Sequence, residues 1–248
     1  MSTEKIALVT GASRGLGLET AKQLCLAGVH TYLGVRSAES GEKALAVLAA
    51  GGVKASCLVL DVTDGASHKA ACDYLSSTYG RLDILVNNAG IAGGSFPGSG
   101  PEHNAADVPM GLLRQVFETN FFSLVALTEM LLPLVRLSPA GRIVNLASIL
   151  GSLSLHATPG SPIYDSKSFA YDASKTAVNA FTIHLAYELR ETKIKVNSAH
   201  PGWVKTDMGG PQAMMEIVDG ARTSVELALL GDDGPTGGFF HLGKPLLW

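Results

Sequence analysis

Tyr171 and Lys175 stand four positions apart in the run Tyr-Asp-Ala-Ser-Lys, a spacing that puts both on one helix face, a turn from each other. A phenol titrates at about 10 in water, so at neutral pH it is neither a ready base nor an activated acid. A fixed ammonium one turn away favours the phenolate and pulls that value down. Lowering it by roughly three units takes about 4 kcal/mol of differential stabilisation, within reach of one lysine plus a second nearby cation. Such a pair on its own says little, because Tyr-x-x-x-Lys arises by chance on many surface helices. The rest of the chain gives it weight.

A second group of residues suits a phosphate. The apolar run 5–10 ends in Thr10-Gly11-x-x-x-Gly15-x-Gly17. This is not G-x-G-x-x-G, since Thr20 stands three places after Gly17. The physical needs are the same: a tight turn, close backbone approach to a pyrophosphate, and a helix start packed on a strand. The next strand ends Gly34-Val35-Arg36. An acidic residue there would accept the ribose hydroxyls of NAD. An apolar residue followed by a cation instead lets Arg14 and Arg36 converge on an extra 2′-phosphate, whose oxygens suit guanidinium forks. The expectation is NADP(H) rather than NAD; the plain alternative is two solvated surface arginines.

Positioning these groups requires alternating elements. Short apolar runs at 5–10, 30–35, 55–60, 82–87, 142–146, 195–199 and 238–241 read as strands. Helical patterns follow the glycine loop to about 27 and recur at 38–50, 66–79, 108–137, 172–191 and 220–230. Strands apolar on both faces, alternating with amphipathic helices, mean a mostly parallel sheet covered on both sides. Right-handed crossovers make it a doubly wound, Rossmann-like α/β fold with seven strands. No linker, repeat or low-complexity segment interrupts it, so residues 1–248 are expected to form one domain.

Composition excludes other classes. With 46% hydrophobic and 17% charged residues, the 248-residue chain has enough apolar side chains for one large core. A net charge of −3 without a Lys/Arg run leaves a nucleic-acid groove no electrostatic footprint. Cys25, Cys57 and Cys72 are odd in number and far apart, which suits free thiols in a reducing compartment. His156, His184 and His200 show no paired ligand spacing, so no metal is expected. The most apolar helix, 117–137, is interrupted by Glu118, Glu129 and Arg136 and does not read as membrane-spanning. No signal peptide is read at the start. A soluble, cytoplasmic protein is the expectation.

In order along the chain stand Thr10-Gly-x-x-x-Gly-x-Gly17, Asp61-Val62, Asn87-Asn-Ala-Gly90, Asn120, Ser148, Tyr171-x-x-x-Lys175, Pro201-Gly202 and Thr206. Any one is weak; together and in register they are specific. On these residues the chain resembles the single-domain branch of the short-chain dehydrogenase/reductase family from Lys5 to about Leu242, and within it the carbonyl reductases. The resemblance implies that Tyr171 donates a proton to a carbonyl oxygen, or accepts it from the alcohol in reverse. Ser148 would hydrogen-bond and orient that oxygen. Lys175 would bind the nicotinamide ribose and depress the tyrosine, and Asn120 would hold a water leading to solvent. It further implies a cofactor set of Gly11, Ser13, Arg14, Gly15, Leu16, Gly17 and Arg36 around the phosphates, and Asp61 and Val62 at the adenine. Asn87, Ala89 and Gly90 would line the cofactor, with Pro201, Gly202, Val204 and Thr206 beyond it, Thr206 meeting the carboxamide. Taken singly, Ser148 also reads as a strand-end turn residue, Asn120 as a polar group inside a helix, and Asp61 as the N-cap of the next helix.

The expected activity is reversible, NADPH-dependent reduction of a ketone or aldehyde. Its rivals are a dedicated-substrate enzyme for a 3-oxoacyl thioester, sugar alcohol or steroid, and a non-catalytic NADP-sensing module. Two departures from the family pattern bear on substrate. Ser148 and Tyr171 are 23 positions apart, longer than is usual there, and the extra stretch near 153–164 would lie over the mouth of the site. It contains a decoy, Tyr164 with Lys167 three places on. The loop 91–109 is also lengthened, a second expected pocket wall. Segment 209–213 has the small residues of a lid. Trp203 reads equally as a pocket wall or a loop anchor, and Phe239, Phe240 and Leu246–Trp248 as packing. A homo-oligomer paired through helices 108–137 and 172–191 is expected.

Overall fold

A computed structural model describes residues 4–94 and 104–248. Strands β1 (Ile6–Thr10), β2 (His30–Val35) and β4 (Ile84–Asn87) are buried almost throughout, with β3 (Ser56–Val59) more exposed at one edge. They continue through β5 (Arg142–Leu146), β6 (Lys195–Ala199), β7 (Phe239–His241) and β8 (Lys244–Pro245). The order across the sheet is β3-β2-β1-β4-β5-β6-β7-β8. All pairings are parallel except β7 with β8. This is the expected doubly wound α/β architecture. It has eight strands among the described residues rather than seven. The extra strand forms because Leu242 and Gly243 both take positive φ (47° and 74°), the backbone of a two-residue hairpin. Leu-Gly carries no Asn-Gly or Asp-Gly cue for such a turn.

Alternation along each strand feeds two helical layers. Ile6, Leu8 and Leu85 meet Leu75 of α3 (Gly65–Tyr79), Leu131 of α5 (Ser123–Arg136) and Leu185 of α7 (Phe169–Glu188). Ala7, Val9 and Val86 meet Leu24 of α1 (Gly15–Leu26), Leu48 of α2 (Ala38–Ala50) and Leu227 of α8 (Ile217–Ala228). Beneath the strand ends runs a polar stitch. Asn87 donates to Thr128 and to Asn145 of the neighbouring strand (both 2.9 Å), and Asn145 donates to Thr182 of α7 at 2.9 Å. The sheet and both long helices are thereby fixed in register under the site.

The long helix before β5 spans 110–136 rather than 108–137, as α4 (Met110–Phe117), a π-helical turn (Glu118–Phe122) and α5. By length and composition alone its 27 residues, with an 18-residue stretch of mean hydropathy 1.2, would suffice to cross a membrane. Leu127, Leu131 and Val135 are instead buried in the core, as in any core helix. Helix α7 starts three residues earlier than expected because Asp172 Oδ2 accepts from Ser168 N at 2.8 Å and closes the first turn. The inserted stretch holds two unforeseen short elements. A 3₁₀ turn (Ile149–Gly151) is capped by Ser148 Oγ, and α6 (Leu153–Ala157) by Ser152 Oγ. The expected pocket wall at 91–109 falls partly on 95–103, outside the described residues.

Candidate active site

At the carboxyl ends of the strands, where the order reverses between β1 and β4, lies a cleft of about 470 Å³. The glycine loop forms its floor: Gly11, Ser13, Arg14, Gly15, Leu16 and Gly17 all line it. The loop cannot be built from larger residues. A Cβ on Gly17 would stand 2.5 Å from both Gly11 O and Asn88 Nδ2, and Gly11 takes a left-handed φ of 62°. Arg14, at the N-cap of α1, makes no side-chain cap bond. The first N–H groups of that helix have no intrahelical acceptor and suit an anion. Arg14 and Arg36 both line the cleft, with Gly34 and Val35 between them on its rim. Arg14 also pairs with Asp207 at 2.8 Å, an exposed bridge that leaves the guanidinium accessible. A cradle of bare backbone with two cations beside it fits a phosphorylated dinucleotide.

The cleft reaches Gly90 and Leu146; the four remaining residues are not among those that line it, and Lys175 and Asn120 stand directly behind these two. Leu146 O accepts from Lys175 Nζ at 2.6 Å. A Cβ on Gly90 would stand 3.2 Å from Asn120 Oδ1 and 3.6 Å from Lys175 Nζ. Tyr171, Ser148, Asn120 and Lys175 are all buried. Ser148 follows β5 by two residues and hydrogen-bonds the Tyr171 side chain, while its Oγ accepts from Leu150 N at 3.2 Å. Asn120 sits in the π-helical turn, whose wider backbone turns its amide onto the β4 loop. Its Oδ1 accepts from Ile91 N (2.8 Å) and its Nδ2 donates to Ile91 O (2.9 Å) and Ser174 Oγ (3.0 Å). Around the phenol, Leu150, Ile163, Ile149 and Leu155 form an apolar wall drawn from the inserted stretch.

The charges differ from the sequence expectation in one respect. Among the protein's own groups burial dominates, pushing the Tyr171 phenol up to about 12, with the Ser148 hydrogen bond pulling the other way. Lys175 lies 5.7 Å from the tyrosine ring centroid and spends a proton on Leu146 O. Burial takes its ammonium down to about 8. Among the protein's own groups the phenol is therefore raised rather than lowered, and the lysine does not offset its burial.

Several expected positions fall elsewhere. Asn87 does not line the cleft; its amide is used in the polar stitch, and its neighbour Asn88 lines the cleft instead, donating to Thr10 O at 2.8 Å. Asp61 turns its carboxylate onto Thr63 N and Oγ1 (2.9 and 2.8 Å), bonds that hold it below the usual carboxylate range, while Leu60 and Val62 line the cleft. The N-cap of α3 is Asp64, accepting from Ala66 N, not Asp61. Ala89, Gly90 and Thr206 line the cleft; Pro201, Gly202 and Val204 do not. Val204 is buried and bridges to Met215. Trp203 is a loop anchor, its Nε1 donating to Gly209 O at 2.8 Å, and so ties down one end of the expected lid. Tyr164 lies ahead of α7 with Lys167 5.1 Å above its ring. Among the described residues, no group of three or more His, Cys, Asp or Glu is placed to hold a metal. Sequence reasoning missed Asn88, Ile91, Thr119 and Lys205 in the cleft wall; the doubled asparagine of Asn87-Asn88 was the available signal for the first.

With this geometry in place, comparison with known proteins is direct. The short chain dehydrogenase family model matches residues 5–216. Carbonyl reductase [NADPH] 1 of Mus musculus is 34% identical over 291 aligned positions, which span 100% of this chain and 99% of the relative. Among solved structures, the NADPH-bound carbonyl reductase from chicken fatty liver aligns with a TM-score of 0.83 and 27% identity, covering 99% of each chain. Salutaridine reductase from Papaver somniferum aligns with a TM-score of 0.83 and 29% identity, over 96% of this chain and 99% of the other. The chain belongs to the short chain dehydrogenase family.

Proposed function

We propose that the protein is an NADPH-dependent carbonyl reductase that converts a ketone or aldehyde to an alcohol, reversibly, as a single domain over residues 1–248. The observation that carries this is a glycine-floored cleft bearing Arg14 and Arg36, with the buried, hydrogen-bonded Tyr171–Ser148 pair and Lys175 behind its Leu146 wall. The full-length relationship to NADPH carbonyl reductases supports it. The glycine loop, Arg14 and Arg36 would hold the phosphates, and Lys175 the nicotinamide ribose. When bound, the cofactor supplies the hydride. The chain's own part is positional and protonic. Ser148 Oγ, oriented by Leu150 N–H, donates to the carbonyl oxygen. Tyr171 Oη gives up its proton to that oxygen as negative charge develops. Lys175 lowers the cost of the resulting phenolate, joined by the positive charge of the oxidised cofactor. The apolar wall of the inserted stretch excludes water from the reacting carbon.

The test is loss of reduced-cofactor absorbance against a panel of ketones and aldehydes, with NADH and Tyr171→Phe in parallel. Turnover of several carbonyls with NADPH, at least a hundredfold weaker in the variant (about two orders is typical for a lost proton donor), is the expected result. Equal efficiency with NADH would sink the cofactor assignment. Tight NADPH binding with no turnover of anything would move the reading to a sensor.

Two coarser features complete the proposal. Exposed Phe122, Met130, Ile183 and Tyr187 on the long helices support pairing of two copies there. A single monomeric species across a wide concentration range would refute it. The three free cysteines support a reducing, cytoplasmic compartment.

A further inference from the structure

The segment inserted between Ser148 and Tyr171 returns to the catalytic helix through one buried carboxylate. Asp172 follows Tyr171 in the chain and is 8% exposed. Its Oδ2 accepts from Ser168 N at 2.8 Å and lies 3.4 Å from His156 Nε2 of α6. Its Oδ1 is buried with no hydrogen-bond partner. His156 has its protons assigned by its neighbours. Lys167 Nζ stands 2.9 Å from His156 Nδ1, and an ammonium only donates, so Nδ1 accepts and the ring proton is on Nε2. That Nε2–H donates to Leu150 O at 2.9 Å. Leu150 N in turn donates to Ser148 Oγ, which bonds Tyr171. One polar chain therefore runs from Lys167 through His156 and Leu150 to Ser148 and Tyr171, with Asp172 against both its middle and its end.

We propose that Asp172 is a positioning residue for Tyr171: its carboxyl group ties the inserted segment to α7 through Ser168 N and His156, and its buried charge, when ionised, stands one residue along the helix from Tyr171. This rests on carbonyl reduction at Tyr171 and deepens it by assigning a second contribution, after burial, to the proton affinity of that tyrosine. The ionisable groups facing Asp172 are His156 from α6, Lys167 from the connection that follows it, and Tyr171 on its own helix. Burial pushes the Asp172 carboxyl up to about 7, while Ser168 N–H and the Lys167 charge pull it down. Around neutrality it thus passes from acid to carboxylate. The carboxylate raises the proton affinity of Tyr171. Reduction needs that proton, so an ionised Asp172 extends reductive activity to higher pH. In the alcohol-oxidising direction it delays the formation of the base.

The experiment compares pH profiles of kcat for carbonyl reduction in the parent, Asp172→Asn, Asp172→Ser and Asp172→Glu. Asn and Ser keep an acceptor for Ser168 N and remove the charge; Glu keeps the charge. In both neutral variants the alkaline limb is expected to move to lower pH by roughly one unit, and in Asp172→Glu to stay with the parent. A merely structural loss would lower the plateau without moving the limb. An active neutral variant with an unshifted limb overturns this inference and leaves the reductase reading standing. A parent inert toward every carbonyl overturns that reading, and this inference with it. The carboxyl carbon resonance of Asp172 in the unsubstituted protein gives an answer that needs no folded variant: a carboxyl that stays protonated across the alkaline limb, and so carries no charge while Tyr171 titrates, overturns the proposal.

Discussion

At the scale of single residues, the cleft divides its labour between backbone and charge. The glycines offer an approach without side chains, and Arg36, at the end of β2, is the side chain best placed to tell a 2′-phosphate from a free hydroxyl. Arg14 shares its charge with Asp207, so it is partly neutralised, whereas Arg36 acts at a distance on Asp61. Arg36→Ala is therefore expected to raise KM for NADPH by roughly tenfold, the value of one exposed charge-assisted bond. KM for NADH should be unchanged, as measured in the same steady-state assay. A parallel rise for both cofactors would place Arg36 outside the phosphate site. The types and spacing of the candidate residues were legible in the sequence, because the expected chemistry calls for Tyr171, Lys175 and the glycines at fixed intervals. What they touch was not: nothing in Asn87-Asn88 says which amide faces the cleft, since strand pleat and the partners Thr128 and Asn145 decide it.

At the scale of elements, the inserted stretch is the part that distinguishes this molecule. Read as sequence it was a long gap of mixed composition, with no periodicity across its five-residue helix. Only tertiary contacts give it shape. Its start is pressed on the catalytic helix, where a Cβ on Gly151 would stand 2.8 Å from the Lys175 carbonyl carbon. Its helix is held from the far side by the chain terminus, where Trp248 O accepts from Ser154 N at 2.9 Å while the indole stacks on Phe239. The hairpin through Leu242 and Gly243 makes this possible by reversing the chain after β7. Strands, in contrast, were recoverable to within a residue or two, because two-sided burial writes continuous apolar runs. Helix ends shifted by up to three residues, at the start of α7 where Asp172 reaches back to Ser168, and equally at the end of α7 and at the start of α8, whose N-cap makes no side-chain cap bond.

For the molecule as a whole, two buried groups give stability opposite dependences on pH. Asp172 holds its proton more tightly folded than unfolded, at about 7 against 3.8. It adds stability as pH falls through that window and loses it as pH rises through about 7. His200, whose Nδ1 accepts from Ile149 N and Gly202 N, is lowered by burial to about 3 from 6.5. It withdraws stability as pH falls from 6.5 towards 3. Each window is worth about 4 to 5 kcal/mol at most, and the two oppose each other where they overlap, between 6.5 and 3.8. The parent is expected to show a nearly flat denaturation midpoint there. Asp172→Asn should lose stability towards acid and His200→Asn should gain it, read by urea unfolding at several pH values. Slopes of the same sign in the two variants would show that these groups do not govern the acid limb.

The π-helical turn that carries Asn120 sets fold and reaction against each other. A π turn holds one residue more than an α turn, so a chain shorter by one residue at Thr119 would close into an unbroken α-helix with α4 and α5 still in phase. Such a helix would have better backbone hydrogen bonds and would swing the Asn120 amide off Ile91. Selection on durability alone would erase the bulge. Its presence keeps the Asn120 amide on Ile91 and Ser174, joining the loop after β4 to α7.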